Sequence, residues 1–238
     1  MNWLTRLLHP APPLDTAHAR AIAAWRALPE PDLTQPLHGL RYVVVDVESS
    51  GLNPFRDKLI SIGAVAIIDG VIRFDHGFDA VLRQETPSDH SNILVHGIGG
   101  TAQTNGRHAA DVLVDFLGFA GKAPLIGFHA EFDKVMMKRA MRNALRLDLP
   151  NVWLDVAILA QALFAERASA AHSLDEWLRE FGIDNHARHE AVADALATAQ
   201  LFQIMIAQAM CTGIKSCAEL IRLEKAHHKW GVHRFRGS

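Results

Sequence analysis

The chain has 238 residues, 49% of them hydrophobic and 21% charged, with a net charge of −2. That is enough chain for one substantial core with a small appendage, and its composition is that of a soluble globular protein. The near-neutral balance excludes a protein that coats long nucleic acid through a global positive field. It does not exclude an enzyme that grips a few nucleotides through local charge and metal.

No stretch reads as both long enough and uncharged enough to span a bilayer. The opening MNWLTRLLHPAPP is too short and too interrupted for a signal peptide. The expected location is therefore cytoplasmic. Cys211 and Cys217 form neither a ligand pattern nor a disulfide framework, so both are expected reduced.

Residues 1–38 read as an N-terminal helical arm and linker. Pro10, Pro12 and Pro13 break a short apolar turn, and LDTAHARAIAAWRAL follows as a helix with Asp15 or Thr16 as its cap. PEPDLTQP is a Pro-rich linker. The pattern then turns β. Strands are expected at about Arg41–Glu48, Lys58–Ile68 and Val71–Leu82. Asp69-Gly70 is a tight-turn signal between the last two, so the three form an antiparallel meander. Residues 84–106 read as loop, with a helical turn near Ser88–Leu94 and a Gly-rich end resembling a flexible lip.

From there strands and helices alternate. A helix is expected at about Arg107–Gly121, a short strand at Ala123–His129 and a strong helix at Ala130–Arg146. VWLDVAILAQALF holds a short strand, then a helix from about Asp155. Ser173–Ile183 opens on a cap and an acidic first turn, and a long helix starts near His189. A last helix occupies about Lys215–His227. Strands first, then alternation, implies an α/β fold: a mixed sheet flanked by helices.

The chemistry-bearing residues lie at element ends. Asp46 and Glu48 close the apolar β-branched run, and i and i+2 on a strand share a face. Two parallel carboxylates there are costly unless a cation sits between them, and a divalent metal is the simplest choice. The alternative is a strand end with two solvated acids. Asp133 sits just inside the helix after a short strand, where open α/β sheets build ligand sites. The helix dipole alone would also favour an acid there, and Glu131 competes for the role. Phe132 beside it reads as a core anchor.

His189 and Asp194 stand five residues apart, about 140° out of line on a continuous helix. They converge more easily if His189 lies in the entering loop and Asp194 on the second turn. A neutral histidine suits proton abstraction from water, though a lone surface histidine is the plainer account. Lys134, Lys138, Arg142 and Arg146 recur on one helix, either as a phosphate-attracting stripe or as a solvated face.

The order of VVVDVESSGL, then GFHAEFD, then RHEAVADALATAQL resembles the DEDDh 3′–5′ exonucleases, the family of the proofreading subunit epsilon of bacterial DNA polymerase III. LVHGI at Leu94–Ile98 matches a family segment between the first two motifs. The resemblance covers about Leu40 to Met210. It divides the chain into the arm and linker at 1–38, an exonuclease domain at 39–212, and a C-terminal helix and basic tail at 213–238.

It implies a ribonuclease H-like fold and two Mg²⁺ or Mn²⁺ ions held by Asp46, Glu48, Asp133 and Asp194. His189 would be the general base. Ser49, Ser50 and Leu52 would line the terminal nucleotide, with His96 flanking its base and His129 near the site. The chain departs from the family at His129, where Asn is common, and at Ser49-Ser50, where Thr-Thr is common.

The implied activity is release of nucleoside 5′-monophosphates from single-stranded or frayed DNA 3′ ends. The alternative within the family is an exoribonuclease. The alternative of another class is an inactive module that binds nucleic acid or a polymerase. The end HHKWGVHRFRGS is thin for a polymerase-docking tail, so a stand-alone enzyme is expected.

Overall fold

In a computed structural model, which describes residues 15–167, 173–185 and 188–234 (side chains at 76 and 228–234 excepted), the β-branched run forms strand β1, Tyr42–Ser49. Tyr42 and Val44 enter one core, and Val43, Val45 and Val47 enter the other. A strand covered on both faces is apolar on both faces. Asp46 is where that pattern breaks.

Strands β2, Leu59–Ile68, and β3, Val71–Val81, complete the expected antiparallel meander. The turn between them has Asp69 at φ 53° and Gly70 at φ 74°, the left-handed pair that a two-residue hairpin of this hand requires. Two short strands, β4 (Leu125–Gly127) and β5 (Trp153–Asp155), add in parallel on the other side of β1. The sheet order is β3-β2-β1-β4-β5. The mixed sheet expected from the sequence is the one found.

Helices cover both faces. On one lie α1 (Thr16–Arg26), α4 (Ala109–Ala120) and α5 (Glu131–Leu145). On the other lie α6 (Val156–Leu163), α7 (Leu174–Glu180), α8 (Ala191–Cys211) and α9 (Cys217–Arg234). Helix α7 opens on a capping box between Ser173 and Glu176. Helix α8, at 21 residues, is apolar and long enough to cross a bilayer by length and composition, which the sequence reading passed over. Here it is the core helix lying across β1 and β2. Cys217 is buried, Cys211 is exposed, and both are free.

The N-terminal helix packs on the core. Trp25 is buried, its Nε1–H donates to the Gly121 carbonyl at 2.8 Å, and the Lys122 ammonium lies 3.7 Å from its ring centroid. The Pro-rich linker is also tied down. Leu37 N–H donates to the Lys215 carbonyl at 3.0 Å, and Ala218 N–H to that of Leu33 at 2.9 Å. The prolines at 10, 12 and 13 and residues 235–238 of the basic tail lie outside the described residues.

The helical turn expected near Ser88–Leu94 is present, and the Gly-rich end expected as a flexible lip is helical too. Residues 84–106 contain two short helices, α2 (His90–His96) and α3 (Gly100–Thr104). Buried Gln103 clamps them, donating through Nε2 to the Ile98 carbonyl at 2.8 Å and accepting from Ser88 N–H at 2.8 Å. Polar residues that read as loop are spent here on internal hydrogen bonds.

Candidate functional site

The site forms where β1 ends. Asp46 and Glu48 share the face of Tyr42 and Val44, which is the face that α8 covers. Asp194 stands in the first turn of α8, one turn earlier than the sequence reading placed it. His189 precedes the helix, as its convergence with Asp194 required.

What lets α8 come this close is Gly63, directly opposite Asp46 on β2. A Cβ at Gly63 would stand 2.1 Å from both the Ala191 carbonyl carbon and the Val192 nitrogen. The missing side chain is therefore filled by helix backbone. In consequence, ligand oxygens of Asp46, Glu48 and Asp194 lie within 4.8 Å of one another.

Asp133 arrives from the opposite face of the sheet. Pairing of β1 with β4 stops at Val44 and Ile126. Beyond it α5 delivers the Asp133 carboxylate over the sheet's end, where the Val47 N–H favours its charged form. Gly127 leaves room for it: a Cβ there would lie 3.2 Å from Asp133 Oδ2. Glu131 does not compete. It is exposed and paired with Lys134 at 2.7 Å, whereas Asp133 is buried.

Burial raises the pKa of Asp46 well above the usual carboxylate range, and the charges of Asp133, Asp194 and Glu48 raise it further. Burial and then Asp194 push Glu48 up to about 7. Asp133 is raised by burial and by Asp155, while the Val47 N–H opposes the shift. Among the described residues the only cation acting on this cluster is Arg188, which lowers both Asp46 and Glu48. Arg188 Nη1 donates to Asp194 Oδ2, and its Nε lies 2.6 Å from Asp175. Asn185 Nδ2 donates to Asp194 Oδ1 at 2.6 Å, and His189 N–H to Oδ2 at 3.0 Å.

Three or four hard oxygen donors that raise one another's proton affinity are a fitting seat for a divalent cation. Asp46 and Glu48 accept no hydrogen bond among the described residues, so their lone pairs are uncommitted.

The remaining sequence candidates fall in different settings. His189 is exposed, at φ 64°, with its backbone rather than its ring tied to Asp194. Ser49 Oγ donates to the Gly51 carbonyl at 2.6 Å, and Ser50 Oγ accepts from Lys58 N–H at 2.8 Å, so both shape the turn after β1. Leu52, at its tip, is 94% exposed.

His96 is buried, with Nδ1 accepting from Ile98 N–H at 3.0 Å and Nε2 facing Asn92 Oδ1 at 2.9 Å. With both nitrogens engaged, His96 braces its segment rather than presenting a ring to solvent. His129 is exposed in the left-handed region at φ 56°, its ring against Phe128 and its N–H on Asp155 Oδ1 at 3.1 Å. Asn and His are both enriched in that conformation, so the backbone here tolerates either.

Sequence reasoning missed Gly63, Arg188, Asn185 and Asp155. Only Gly63 left a signal, as an isolated glycine inside an apolar strand. Two residues of the lysine and arginine stripe on α5 are paired locally: Lys134 with Glu131, and Arg142 with Asp148 at 2.5 Å.

Residues 43–202 match the exonuclease family model. The chain is 29% identical over 183 residues to a PolC-type DNA polymerase III of Thermotoga petrophila, covering 77% of this chain and 13% of that one. It is 29% identical over 195 residues to a DNA polymerase III subunit epsilon-like protein of Rhodobacter capsulatus, covering 81% and 27%. It is also 28% identical over 174 residues to the DNA polymerase III subunit epsilon of Rickettsia typhi, covering 70% and 74%. The chain thus spans a small part of the first two relatives.

Among solved structures, exonuclease X in complex with 5′ overhanging duplex DNA superposes with a TM-score of 0.59 at 19% identity, over 77% of this chain and 99% of that one. Escherichia coli exonuclease I with a dA16 oligonucleotide gives 0.63 at 15% identity, over 79% and 42%. These two likenesses speak for the fold.

Proposed function

This chain belongs to the exonuclease family of metal-dependent nucleases, and we propose that it removes nucleotides one at a time from DNA 3′ ends, releasing nucleoside 5′-monophosphates. The observation that carries this reading is the convergence of the Asp46, Glu48 and Asp194 carboxylates within 4.8 Å at the end of β1, with Asp133 beside them.

Asp46, Glu48, Asp133 and Asp194 would hold two Mg²⁺ or Mn²⁺ ions. Bound there, such ions supply positive charge to the attacking and departing oxygens of an in-line displacement. His189, exposed at the mouth of the site, takes the proton from the attacking water. The water oxygen bonds to phosphorus, the P–O3′ bond breaks, and the departing 3′-oxygen takes up a proton. The turn of Ser49, Ser50 and exposed Leu52 lies at the same strand end and would receive the terminal nucleotide. His96 would act indirectly, by fixing the 88–98 segment, and His129 would stand at the rim.

The choice of DNA rests on the relatives, named as DNA polymerase III components, and on the DNA in the solved neighbours. The same names support a cytoplasmic site of action. The test is purified protein with Mn²⁺ and 5′-labelled single-stranded DNA, frayed duplex DNA or RNA. The expected result is a ladder shortening from the 3′ end of DNA, with mononucleotide product. Internal cuts, or RNA consumed faster than DNA, would overturn the assignment.

A further inference from the structure

Among the described residues, the basic side chains of Arg73, Arg107, Lys122, Lys134, Arg142, Arg167, Arg188 and Arg222 each have an acidic partner. Four that do not meet in one place. Arg56, Lys58, Arg83 and Arg139 rim a groove of about 480 Å³ between the β1–β2 turn, the end of β3 and α5. None of the four forms an ion pair among the described residues. The charge of Asp57 acts on Arg139, but its Oδ2 accepts from Asn53 N–H at 2.7 Å.

The floor is apolar and shallow-sided, made by Leu59, Leu82 and Met136 and by small alanines of α4 and α5. Phe55, 75% exposed, stands at the rim. A cationic rim over an apolar floor, with one exposed aromatic ring, is the chemistry of a single-strand binding track: phosphates meet the charges and bases meet the ring and floor.

Two of the elements that line the groove also lead to the carboxylate site. Lys58 is hydrogen-bonded to Ser50, and Leu59 sits opposite Ser49 on β2. Along α5, Met136 and Ala140 follow Asp133 at helical spacing, and Asn143 ends the groove about 15 Å beyond Asp133 by the rise of the helix.

We infer that this groove carries the phosphate backbone of the strand on the 5′ side of the nucleotide being removed, with Arg56, Lys58, Arg83 and Arg139 as its anion contacts and Phe55 as a stacking platform. The direction of the strand rests on the 3′-end reading above; the binding itself does not.

The test therefore separates the two. Fluorescence anisotropy of labelled dT3 and dT12, in EDTA so that no cleavage intervenes, gives the affinity gained with length. Arg83→Glu/Arg139→Glu should weaken dT12 binding about tenfold or more, and the slope of log K against log salt should shrink by about 1.4. Phe55→Ala should weaken dT12 severalfold without changing that slope. Lys134→Glu/Lys138→Glu, on α5 but outside the groove lining, should change dT12 affinity less than twofold.

An unchanged dT12-to-dT3 ratio in the groove double variant, with its melting temperature intact, would overturn the inference. So would an equal loss in the Lys134/Lys138 variant, which would mean a diffuse field and no track. Displacement of dT12 by a poly-glutamate 12-mer at equal concentration, with Phe55→Ala silent, would reassign the groove to an acidic protein segment. If length-dependent binding is seen but no 3′ end is cleaved with Mn²⁺, the groove stands and the exonuclease reading falls.

Discussion

Asp133 and Asp194 reach the same place from opposite faces of one sheet, and they are held in opposite ways. Asp133 is buried in the first turn of α5, where main-chain N–H groups, that of Val47 among them, favour its charge. Asp194 is fixed by its own approach segment, through Arg188, Asn185 and the His189 N–H. One acid is held by the framework, and the other is held, at the start of α8, by a turn that also carries the proposed base. The framework half therefore sets where metal sits, and the turn half sets where a proton acceptor stands relative to it.

The largest expected effect tests that division of labour. His189→Ala removes an exposed ring but no ligand and no side-chain anchor of Asp194, since its backbone N–H remains. Turnover should fall about 10²–10⁴-fold, the range for loss of a general base. The rise in melting temperature caused by Mn²⁺ should persist. Near-normal turnover at neutral pH would refute the base; a lost Mn²⁺ response would mean that the ring belongs with the ligands.

Next comes the joint between the halves. Gly63→Ala places a Cβ 2.1 Å from the backbone of Ala191 and Val192. Neither neighbour is a flexible side chain that can swing away, so α8 must shift from β2. The cost should be about 3 kcal/mol, roughly 6–12 °C in melting temperature for a chain of this size. Because Asp194 rides on α8 and Asp133 does not, turnover should fall more than stability alone explains. A variant with wild-type melting temperature and turnover would show that the close approach is not required.

These contrasts explain what could be read from the sequence. Asp46 and Glu48 were legible because strand alternation is a local rule and the run before them is uniformly apolar. The meander was legible from Asp69-Gly70. Asp133 was legible as an acid following a strand, although only the fold decides it against Glu131, by burial. Arg188 was not legible, because nothing local says that an arginine in a turn points at a carboxylate six residues later.

The burial of His96 depends on Asn92, Ser88 and Ile98, contacts that a periodicity argument does not see. The rim of the basic groove comes from three separated segments, so its charge appears in no single stretch.

The smallest effect concerns charge on the framework side. Glu48 and Glu224 are each pushed up to about 7, mainly by burial, and Asp46, Asp133 and Asp155 are raised as well. Such groups hold their protons more tightly folded than unfolded. Below the unfolded value near 4.5 both states are protonated and no stability is lost. As pH rises from there through about 7, the unfolded chain releases protons first and the folded state loses ground.

Metal-free protein should therefore melt lower at pH 8 than at pH 5. Millimolar Mg²⁺ should reduce that fall by engaging the ionised carboxylates in the folded state alone. Glu224 offers a way to divide the slope. Its Oε1 accepts from Asp155 N–H at 3.0 Å on β5, outside the proposed ligand set. Glu224→Gln keeps that acceptor and removes the titration, so it should flatten part of the metal-free slope while leaving the Mg²⁺ response. A metal-free melting temperature that is flat or rising between pH 5 and 8 would contradict the carboxylate crowding on which the metal reading depends.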